Sequence, residues 1–562
     1  MKWVQRKAKV KPTSQDELLE QIAKIRGIED TTRFLNPTAE ELHNPYLLKN
    51  VEDASNRIIR AIASKEKIVI SYDCDADGIT ANTIMYRYLK NYTDNVDYIY
   101  GERGDGHGIT EQLTVDFDEE KYPERYKLNV ENMDKVASAN LLILIDSSSN
   151  DVATCEMISA MGVDIIILDH HAIEKHNPFV TMVNPQQEGC EYPNKQLSGA
   201  GVVFKTIEVM EDTLGQVDVW QYIDLVAVGM YADVMKVDVM ENRYLIMHGL
   251  RNIKNPGLHR ILKGGKADLY RLKCSDIGFI IAPLINGVAR MDKIKYAIDI
   301  LLEDDDKVCM KIRRQMLKIN EERKVRQKEI YEQYLTRIDE SKKVLVVMDE
   351  QSSKGFNGIV AQQLTEKYQR PVIVGRIHEG VLSGSFRSFN NFKFKKFLQQ
   401  FPGEVEALGH EGAGGIVIHE SQLEDLYAYI ERHMPSLTDT EPTIVYDIEI
   451  DVDDIPLYVA DIERLNLLYG NGFPKVVVRV NGITIEETKC IGDKQETVKF
   501  STFDDMELIK FRVNDQYASE LGFFDVVDAV GQLSINKFYH NGKKEWIITN
   551  QVMIEDYKVV KE

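Results

Sequence analysis

Short apolar runs alternate with helical segments in the middle of the chain, starting at Lys67. Strands that are apolar throughout and alternate with helices are typical of a parallel sheet covered on both faces, and such sheets bind ligands at the carboxyl ends of their strands. The pattern therefore predicts an α/β domain whose functional residues directly follow its strands. Four such runs are present, KIVISYD, NVDYIYG, NLLILIDSS and VDIIILDHH.

The pattern differs on both sides of this domain. Near the start, SQDELLEQIAKI places a serine before apolar residues at helical spacing, which predicts a helix. A charged segment without Gly or Pro after Asp306 predicts one long helix, and the strands KVLVVMD and PVIVGRI beyond it predict a second α/β domain. After Pro435 apolar and polar residues alternate, which predicts a small β-barrel with a hairpin turn at HNG before Lys543.

The length of 562 residues exceeds what one hydrophobic core supports, since domains average roughly 150 residues. We therefore expect an α/β protein of several units. They are an N-terminal helical segment packing on the sheet domain (1–65), a parallel-sheet domain (66–305), a long connecting helix (306–342), a second α/β domain (343–437) and a β-barrel (443–562).

The composition narrows the classes of function. No apolar run approaches the roughly 20 residues that span a bilayer, and no apolar segment follows the basic N-terminal residues, so we expect neither a membrane role nor a secretory signal peptide. Six cysteines without a C-x-x-C pair argue against a disulfide framework or a zinc knuckle and fit the cytoplasm. The net charge of −21 means that any contact with nucleic acid must be local, because phosphate neutralisation supplies most non-specific affinity.

Three carboxylates at alternate positions follow the first strand, in DCDADG (73–78). Carboxylate oxygens are the preferred ligands of Mg²⁺ and Mn²⁺, and an added imidazole favours Mn²⁺. The same spacing opens an EF-hand loop, but Ile84 occupies the twelfth position, where that loop requires Glu, and a strand precedes the motif. The segment therefore indicates a divalent-cation site of another kind.

Further candidate ligands follow the later strands. Asp146 comes directly after NLLILI, and Asp169, His170 and His171 follow VDIIIL. Asp233 lies in otherwise apolar sequence, where a lone carboxylate is costly unless it is paired or bound to metal. Taken singly, Asp146 could be a helix cap and His170 a structural histidine, but together at strand ends these residues favour a metal centre.

The series D-x-D-x-D-G, strand-end Asp, D-H-H and A-D-V resembles the motifs of the DHH phosphoesterase superfamily. Toward the C-terminus, GSFRS (384–388) and GHEGAGG (409–415) resemble its accessory DHHA1 domain, and IERLNLLYGNGFPKVVV through LSINKFYHNG resembles an OB-like domain. Further segments, covering nearly the whole chain, resemble the bacterial RecJ exonucleases: FLNPTAEELHNPYLLKNVEDASNRI (34–58), VNPQQEGCEYPNKQLSGAGVVFK (183–205), IDLVAVGMYADVMKVDVMENR (223–243), DIGFIIAPLINGVARM (276–291) and NGIVAQQLTEKYQRPVIV (357–374).

This resemblance implies a phosphodiesterase that uses two Mn²⁺ or Mg²⁺ ions. Two cations about 3.5–4 Å apart can lower the pKa of a water, hold a phosphate oxygen and stabilise the leaving alkoxide, so no covalent intermediate is needed. By the same resemblance, Asp169 orients the histidines, His171 faces the scissile phosphate, and Asp73 is a ligand or lies beside one. The implied metal ligands are Asp75, Asp77, Asp146, His170 and Asp233.

The resemblance also implies where DNA is held, and it includes two departures. The family usually has Tyr where this chain has His107, and Gly where it has Ala289. The segment FRSFNNFKFKKF either stacks bases beside its lysines or packs its Phe side chains inward as an amphipathic helix. Most Lys and Arg of the long helix we expect to be solvated. The implied DNA contacts are Arg103, His107, Arg290, Ser383, Ser385, Arg387 and His410.

Three hypotheses for function remain. The first is an exonuclease specific for single-stranded DNA, with 5′ to 3′ polarity, in recombination and repair. The second is a phosphodiesterase of short oligoribonucleotides or cyclic dinucleotides, and the third is an inactive DNA-binding scaffold. The terminal barrel favours a polymeric substrate, and the complete ligand set favours an active enzyme. Single-stranded DNA and single-strand-binding protein are the expected partners of a monomeric enzyme.

Overall fold

The computed structural model describes residues 1–6, 14–104, 106–114, 122–350, 352, 354–390, 392–437, 443–492, 495–504, 506–513, 515–540 and 544–560. The chain forms two compact units. The larger comprises Leu42–Met235 and Leu245–Asp439, and the smaller comprises Met1–Glu41, Lys236–Tyr244 and Thr440–Glu562. Within the described residues, no helix combines the length and the apolar character needed to cross a membrane.

Both units contain strands and helices. The strands are β1 (Lys2–Gln5), β2 (Ile68–Tyr72), β3 (Val96–Tyr100), β4 (Leu141–Ile145), β5 (Asp164–Leu168), β6 (Thr181–Val183), β7 (Leu345–Met348), β8 (Val372–His378), β9 (Val381–Arg387), β10 (Val405–His410), β11 (Ala413–His419), β12 (Thr443–Tyr446), β13 (Ile448–Asp451), β14 (Val478–Ile491), β15 (Thr497–Thr502), β16 (Met506–Phe511), β17 (Val526–His540) and β18 (Glu545–Val559). The helices are α1 (Gln15–Ile25), α2 (Thr31–Leu35), α3 (Val51–Ala63), α4 (Ala76–Leu89), α5 (Ile109–Leu113), α6 (Pro123–Ala137), α7 (Val152–Ala160), α8 (Gly199–Leu214), α9 (Ile223–Ala232), α10 (Met240–Arg251), α11 (Pro256–Gly264), α12 (Cys274–Asp276), α13 (Ala282–Ala289), α14 (Lys295–Leu302), α15 (Asp306–Leu335), α16 (Lys354–Tyr368), α17 (Phe394–Gln399), α18 (Leu423–His433), α19 (Ile455–Leu465) and α20 (Asp515–Ala518).

A five-stranded, wholly parallel sheet organises the first part of the larger unit. Its strand order is β3-β2-β4-β5-β6, and β2 and β4 are buried along their whole length. Burial on both faces explains why these strands are apolar throughout rather than alternating. The predicted α/β class with a parallel sheet is confirmed.

The long helix α15 and a second sheet complete the larger unit. The helix has 30 residues and leads into strands ordered β10-β11-β9-β8-β7, of which only β7 and β8 pair in parallel. In the segment FRSFNNFKFKKF, Phe394 and Phe397 of α17 are buried in the core of this lobe. The amphipathic alternative therefore describes this segment better than a base-stacking surface does.

The smaller unit contains a closed barrel. Its strands follow the order β13-β14-β15-β16-β18-β17, and additional pairing of β14 with β17 closes the sheet on itself. Closure pairs the edges of the five strands β14 to β18, which would otherwise template aggregation, while β13 lies outside this ring and pairs with β14. The predicted barrel is confirmed, whereas strand β16 and helix α19 were not predicted. Asn541 and Gly542, where the HNG turn is predicted, lie outside the described residues.

The N-terminal segment differs from the single helical unit expected for residues 1–65. Strand β1 pairs in parallel with β12, and the guanidinium groups of Arg6 and Arg26 lie 2.9 and 2.7 Å from the buried carboxylate of Asp447. Only the later part, with helix α3 on helix α8, packs in the sheet domain. The division follows from hydrogen bonding, because the partner of β1 is a strand that begins only at Thr443, a distant pairing that sequence pattern alone does not reveal.

Candidate active site

The carboxyl ends of three adjacent strands bring the predicted ligands together. Asp73 follows β2, Asp146 follows β4 and Asp169 follows β5, and these strands are neighbours in the sheet. Carboxylate oxygens of Asp73, Asp75 and Asp146 all lie within 4.8 Å of one another. Asp146 has a φ of 65°, a left-handed conformation that Asp tolerates better than most residues and that is concentrated at functional sites.

The loop after β2 turns directly into helix α4. The Asp75 side chain caps this helix, because its Oδ1 accepts hydrogen bonds from the backbone N–H of Asp77 at 3.0 Å and of Gly78 at 3.1 Å. A third N–H, that of Ala76, donates to Asn286 Oδ1 at 3.0 Å. The motif DCDADG is therefore a strand-to-helix turn, not a calcium-binding loop between two helices.

Asp77 is held by a second helix terminus. Its carboxylate accepts hydrogen bonds from the Ser198 hydroxyl at 2.9 Å and from the backbone N–H of Gly199 at 2.6 Å and of Ala200 at 3.1 Å. These groups form the start of helix α8, whose dipole favours a negative charge there. Gly229 of helix α9 also faces this carboxylate, because a Cβ at Gly229 would overlap Asp77 Oδ1.

His170 lies at the centre of the cluster. Its Nε2 is 3.1 Å from Asp146 Oδ1, 3.4 Å from Asp233 Oδ2 and 4.0 Å from Asp77 Oδ2. Although they are close, His170 Nε2 and Asp146 Oδ1 are both buried, and neither has a hydrogen-bond partner among the described residues. Buried polar atoms are nearly always hydrogen-bonded. Potential metal-ligand atoms that converge in this way without hydrogen-bonding to one another therefore fit a metal site.

The pKa values of the cluster also support a metal site. Burial, followed by the charge of Asp75, raises the pKa of Asp77 to about 6, and burial with the charge of Asp77 raises the pKa of Asp233 to about 8. Burial also raises the pKa of Asp146 well above its ordinary value. Burial lowers the pKa of His170 to about 4, so its imidazole is neutral near pH 7. A cation would replace the protons that these carboxylates otherwise retain.

Asp169 and His171 form a separate pair at the edge of the cluster. Asp169 Oδ1 accepts from the backbone N–H of His170 at 2.7 Å and lies 2.8 Å from His171 Nδ1, while its Oδ2 accepts from Ser149 at 2.6 Å. Burial alone would raise the Asp169 pKa, but the His171 imidazolium holds it well below its usual range. Burial opposes a charge on His171, but the Asp169 carboxylate outweighs it and raises the His171 pKa to about 9. The half-exposed His171 is therefore cationic and oriented, which suits a phosphate contact.

The loop after β3 contacts the turn between β2 and α4. His107 Nδ1 lies 3.0 Å from Asp73 Oδ2, and an Arg103 terminal nitrogen donates to the Cys74 carbonyl at 3.4 Å. Both residues were predicted as DNA contacts, and both lie beside the predicted metal ligands. His107 thus contacts a carboxylate directly, which its sequence position alone did not indicate.

Four arginines gather next to the carboxylates. Burial, together with the charges of Arg103, Arg323 and Arg387, lowers the pKa of Arg290 to about 9. The guanidinium groups donate to neutral oxygens, for example Arg290 to the Gly355 carbonyl at 2.7 Å, and within the described residues no carboxylate pairs with any of the four. Mutual repulsion of this kind is relieved by a bound anion such as phosphate.

Arg323 was not singled out from the sequence, although a signal existed. It lies on helix α15 seven residues after the buried Met316 and three after the buried Asn320, so it shares their face of the helix. Its Nε donates to Asn320 Oδ1 at 2.8 Å, and a terminal nitrogen donates to Gln327 Oε1 at 2.6 Å. Arg323 could have been identified from the polar residues spaced along the buried face of a helix that is otherwise solvated.

The second lobe contributes the remaining predicted residues. Ser383, Ser385 and Arg387 alternate along β9 and so share one face, and Ser383 lines a cavity of about 1950 Å³ together with Asp292 of the sheet domain. His410, at the end of β10, lies close enough that its charge contributes to the lowered pKa of His170, after burial and His171. The structure thus brings His410 towards the carboxylate cluster, whereas Ser383 lines the cavity.

Comparisons with known proteins agree with this architecture. The model of the DHH family, N-terminal domain, matches residues 67–230, and the model of the RecJ OB domain matches residues 446–550. The single-stranded-DNA-specific exonuclease RecJ of Bacillus subtilis (strain 168) is 27% identical over 549 residues, which are 94% of this chain and 67% of that protein. The chain is thus similar to RecJ proteins along nearly its whole length.

Solved structures show the same fold. The crystal structure of RecJ from Thermus thermophilus in complex with Mn²⁺ covers 100% of this chain and 80% of its own, with a TM-score of 0.76 at 21% identity. A crystal structure of exonuclease RecJ bound to manganese covers 72% of this chain and 99% of its own, with a TM-score of 0.56 at 25% identity. The predicted resemblance to RecJ, with a DHH domain and an OB domain, is confirmed.

Replacement of Gly229 tests the tight packing around Asp77. We expect Gly229→Ala to displace the Asp77 carboxylate and to weaken Mn²⁺ binding about 10- to 100-fold, measured by titration calorimetry. Gly278→Ala is the matched control, because among the described residues its new Cβ meets only Tyr231 Cε1, at an ordinary contact distance of 3.4 Å. Unchanged Mn²⁺ affinity in Gly229→Ala would show that this contact does not fix Asp77.

Metal binding should release protons and depend on pH. Since the pKa of Asp233 is raised to about 8 and that of Asp77 to about 6, Mn²⁺ binding near pH 7 must expel at least the proton of Asp233. Affinity should therefore rise at least about tenfold per pH unit between about pH 6 and 8. Calorimetry in buffers of different ionisation enthalpy measures the released protons. An enthalpy independent of buffer, with an affinity that is flat over this range, would contradict the expectation.

Proposed function

We propose that this chain is a metal-dependent exonuclease of the RecJ type that degrades single-stranded DNA, with 5′ to 3′ polarity, in recombination or repair. The observation that supports this most strongly is the pairing of two features in one unit. Buried, unsatisfied metal-ligand atoms converge at His170, and a cluster of arginines without carboxylate partners among the described residues lies beside them. The first suits a metal centre and the second suits phosphate, which together suit phosphodiester hydrolysis.

The cofactor that we propose is a pair of Mn²⁺ or Mg²⁺ ions. The donor set is carboxylate oxygen and imidazole nitrogen, which suits these cations, and Mn²⁺ in particular. When bound, such a pair supplies Lewis acidity and neutralises charge at the scissile phosphate. The residues that would hold it are Asp75, Asp77, Asp146, His170 and Asp233, with Asp73 beside them.

The side chains of the chain itself would position the substrate. Asp169 fixes the His171 ring through Nδ1, so the cationic ring can donate a hydrogen bond from Nε2 to a phosphate oxygen. Arg103, Arg290 and Arg387 would hold phosphates along the strand, as would the unpredicted Arg323. Because this positive charge is confined to one cluster, DNA binding is compatible with the net charge of −21.

The barrel would contact single-stranded DNA mainly by stacking. Residues 443–562 contain 22 acidic and 13 basic side chains, a net charge of −9, so phosphate neutralisation gives this unit little affinity. Its described surface includes Trp546, which is 60% exposed, with Lys537 Nζ 5.0 Å from the ring centroid. Aromatic rings beside a lysine suit base stacking without sequence preference.

The partners and location follow from this proposal. We propose that single-strand-binding protein delivers or clears the substrate, that the enzyme is monomeric and that it acts in the cytoplasm. No disulfide bond joins any of the six cysteines, all of which lie in the described residues, and this supports a reducing compartment. The expected accessory DHHA1 assignment of residues 343–437 is likewise a proposal, supported by GSFRS and GHEGAGG in strands β9 to β11.

Removal of Arg323 tests the arginine cluster. We expect Arg323→Gln to weaken binding of single-stranded DNA several-fold and to reduce the slope of log affinity against log salt by about 0.7, the value for one phosphate contact. Fluorescence anisotropy in EDTA measures both quantities without cleavage. The control is Lys328→Gln on the same helix, which removes an equal charge that is 71% exposed and 3.6 Å from Glu332. Equal effects of the two substitutions would contradict a specific role of Arg323 in phosphate binding.

Digestion of end-labelled DNA tests the proposed activity. Single-stranded and duplex substrates labelled at the 5′ or the 3′ end are incubated with Mn²⁺ and with the wild type, His170→Ala or His176→Ala. His176 is an exposed imidazole a few residues further along the chain, so its removal controls for the loss of any histidine. We expect mononucleotide to appear first from the 5′ label, on single strands only, and activity to fall by orders of magnitude in His170→Ala alone.

Other outcomes would replace the proposal. Cleavage of dinucleotides but not of DNA would indicate a short-substrate phosphodiesterase. DNA binding without any cleavage would indicate an inactive scaffold. Mononucleotide that appears first from the 3′ label would show an exonuclease of the opposite polarity, 3′ to 5′.

A further inference from the structure

A second set of donor atoms lies next to the carboxylate cluster. His107 Nδ1 is 3.0 Å from Asp73 Oδ2 and 3.8 Å from Cys74 Sγ, and all three atoms lie within 4.8 Å of one another. The sulfur belongs to a residue that is 2% exposed, whereas the His107 side chain is 53% exposed. The set is therefore anchored inside the protein and opens to solvent on the side of the imidazole.

The distances from His107 Nδ1 to Cys74 Sγ and to Asp73 Oδ2 match two edges of a tetrahedral metal site. Bonds of about 2.3 Å to sulfur and about 2.0–2.1 Å to nitrogen and oxygen, at tetrahedral angles, place sulfur and nitrogen about 3.6 Å apart and nitrogen and oxygen about 3.3 Å apart. The observed distances of 3.8 and 3.0 Å differ from these by a few tenths of an ångström. The third pair, the sulfur and the carboxylate oxygen, lies within 4.8 Å, so the three ligands can close around an ion, and solvent can supply the fourth.

The chemistry of this set differs from that of the neighbouring cluster. Mg²⁺ and Mn²⁺ prefer oxygen donors, whereas a thiolate with an imidazole selects softer ions such as Zn²⁺. We propose that Asp73, Cys74 and His107 form a third cation site, for a thiophilic divalent ion such as Zn²⁺, beside the proposed Mn²⁺ or Mg²⁺ pair. On binding, the thiol S–H bond breaks and the proton held between His107 Nδ1 and Asp73 Oδ2 is also lost, so that sulfur, nitrogen and oxygen each form a bond to the ion and both protons leave to solvent.

The surrounding charges permit such a site and limit its affinity. Deprotonated Cys74 and Asp73 supply two negative charges, which balance a divalent ion. The Arg103 guanidinium, at 3.4 Å from the Cys74 carbonyl, repels a cation bound here and so lowers its affinity. The competing arrangement is a plain hydrogen bond between His107 and Asp73 that never opens to an ion.

Occupancy of this site should inhibit cleavage, because it engages Asp73. This consequence rests on the proposed function, in which Asp73 lies beside the catalytic ions. Ion binding itself does not rest on that function, so the two can fail separately.

Cobalt is the probe that distinguishes the two sites. Thiolate coordinated to Co²⁺ gives an intense near-ultraviolet charge-transfer band, which the sulfur-free carboxylate cluster cannot produce. The full-length protein, preloaded with Mn²⁺, is titrated with Co²⁺ as wild type, Cys74→Ser and Cys190→Ser. Cys190 is the matched control, a partly exposed thiol whose Sγ contacts the Leu47 carbonyl.

The expected result is one equivalent of thiolate-bound Co²⁺ in the wild type and in Cys190→Ser, none in Cys74→Ser, and loss of the band on addition of one equivalent of Zn²⁺. His107→Gln should weaken Co²⁺ binding about tenfold or more while keeping the band at saturation. A wild type without the band, or a band that survives in Cys74→Ser, would overturn the site. Circular dichroism of each variant excludes unfolding as the cause of a lost band.

Inhibition provides a second measurement. With Mn²⁺ supporting cleavage of single-stranded DNA, Zn²⁺ should inhibit the wild type at a concentration about tenfold or more below that which inhibits Cys74→Ser. Equal inhibition of both would overturn the regulatory consequence. If the protein cleaves no DNA at all, the proposed function fails while the cobalt titration still decides the site.

Discussion

Repulsion among buried carboxylates at one end of the parallel sheet is the constraint on which the rest of this structure depends. The strand order places Asp73, Asp146 and Asp169 together, and the turn after β2 adds Asp75 and Asp77. Part of the repulsion is relieved locally. The starts of helices α4 and α8 stabilise Asp75 and Asp77 through backbone N–H groups, and Asp169 is neutralised by His171. The remaining negative charge needs protons or cations, and the neutral His170 ring directs a free nitrogen at it.

The opposite charge is concentrated in the same region. Four arginines lie beside the carboxylates, yet they donate to carbonyl and amide oxygens. Gly358 permits part of this approach, because a Cβ there would lie 2.6 Å from an Arg387 terminal nitrogen. A substrate that carries phosphates would satisfy these arginines while its scissile group meets the carboxylate cluster. Charge complementarity confined to one site reconciles an acidic protein with a polyanionic substrate.

Much of the sheet domain and its cluster could be predicted, because parallel strands that are buried on both faces are recognisable from apolar runs, and their ends must meet at one edge. Asp233 could be predicted from the sequence for another reason, since a single carboxylate in apolar sequence has to be paired or bound to a metal ion. Contacts between residues far apart in the chain could not be predicted from the sequence. Strand β1 depends on β12, and the contact of His107 with Asp73 depends on how one loop folds over another. Arg323 was obscured by the charged residues around it on helix α15, although its helical register placed it on the buried face.

The most direct measurement of the proposed metal centre is a crystal structure of the protein grown with Mn²⁺, with anomalous diffraction used to locate the ions. Two manganese peaks about 3.5–4 Å apart, within bonding distance of His170 Nε2 and the carboxylates of Asp77, Asp146 and Asp233, are the expected result. A single ion, or manganese bound only elsewhere on the protein while these side chains keep their present positions, would contradict the assignment of this cluster as a two-metal catalytic site.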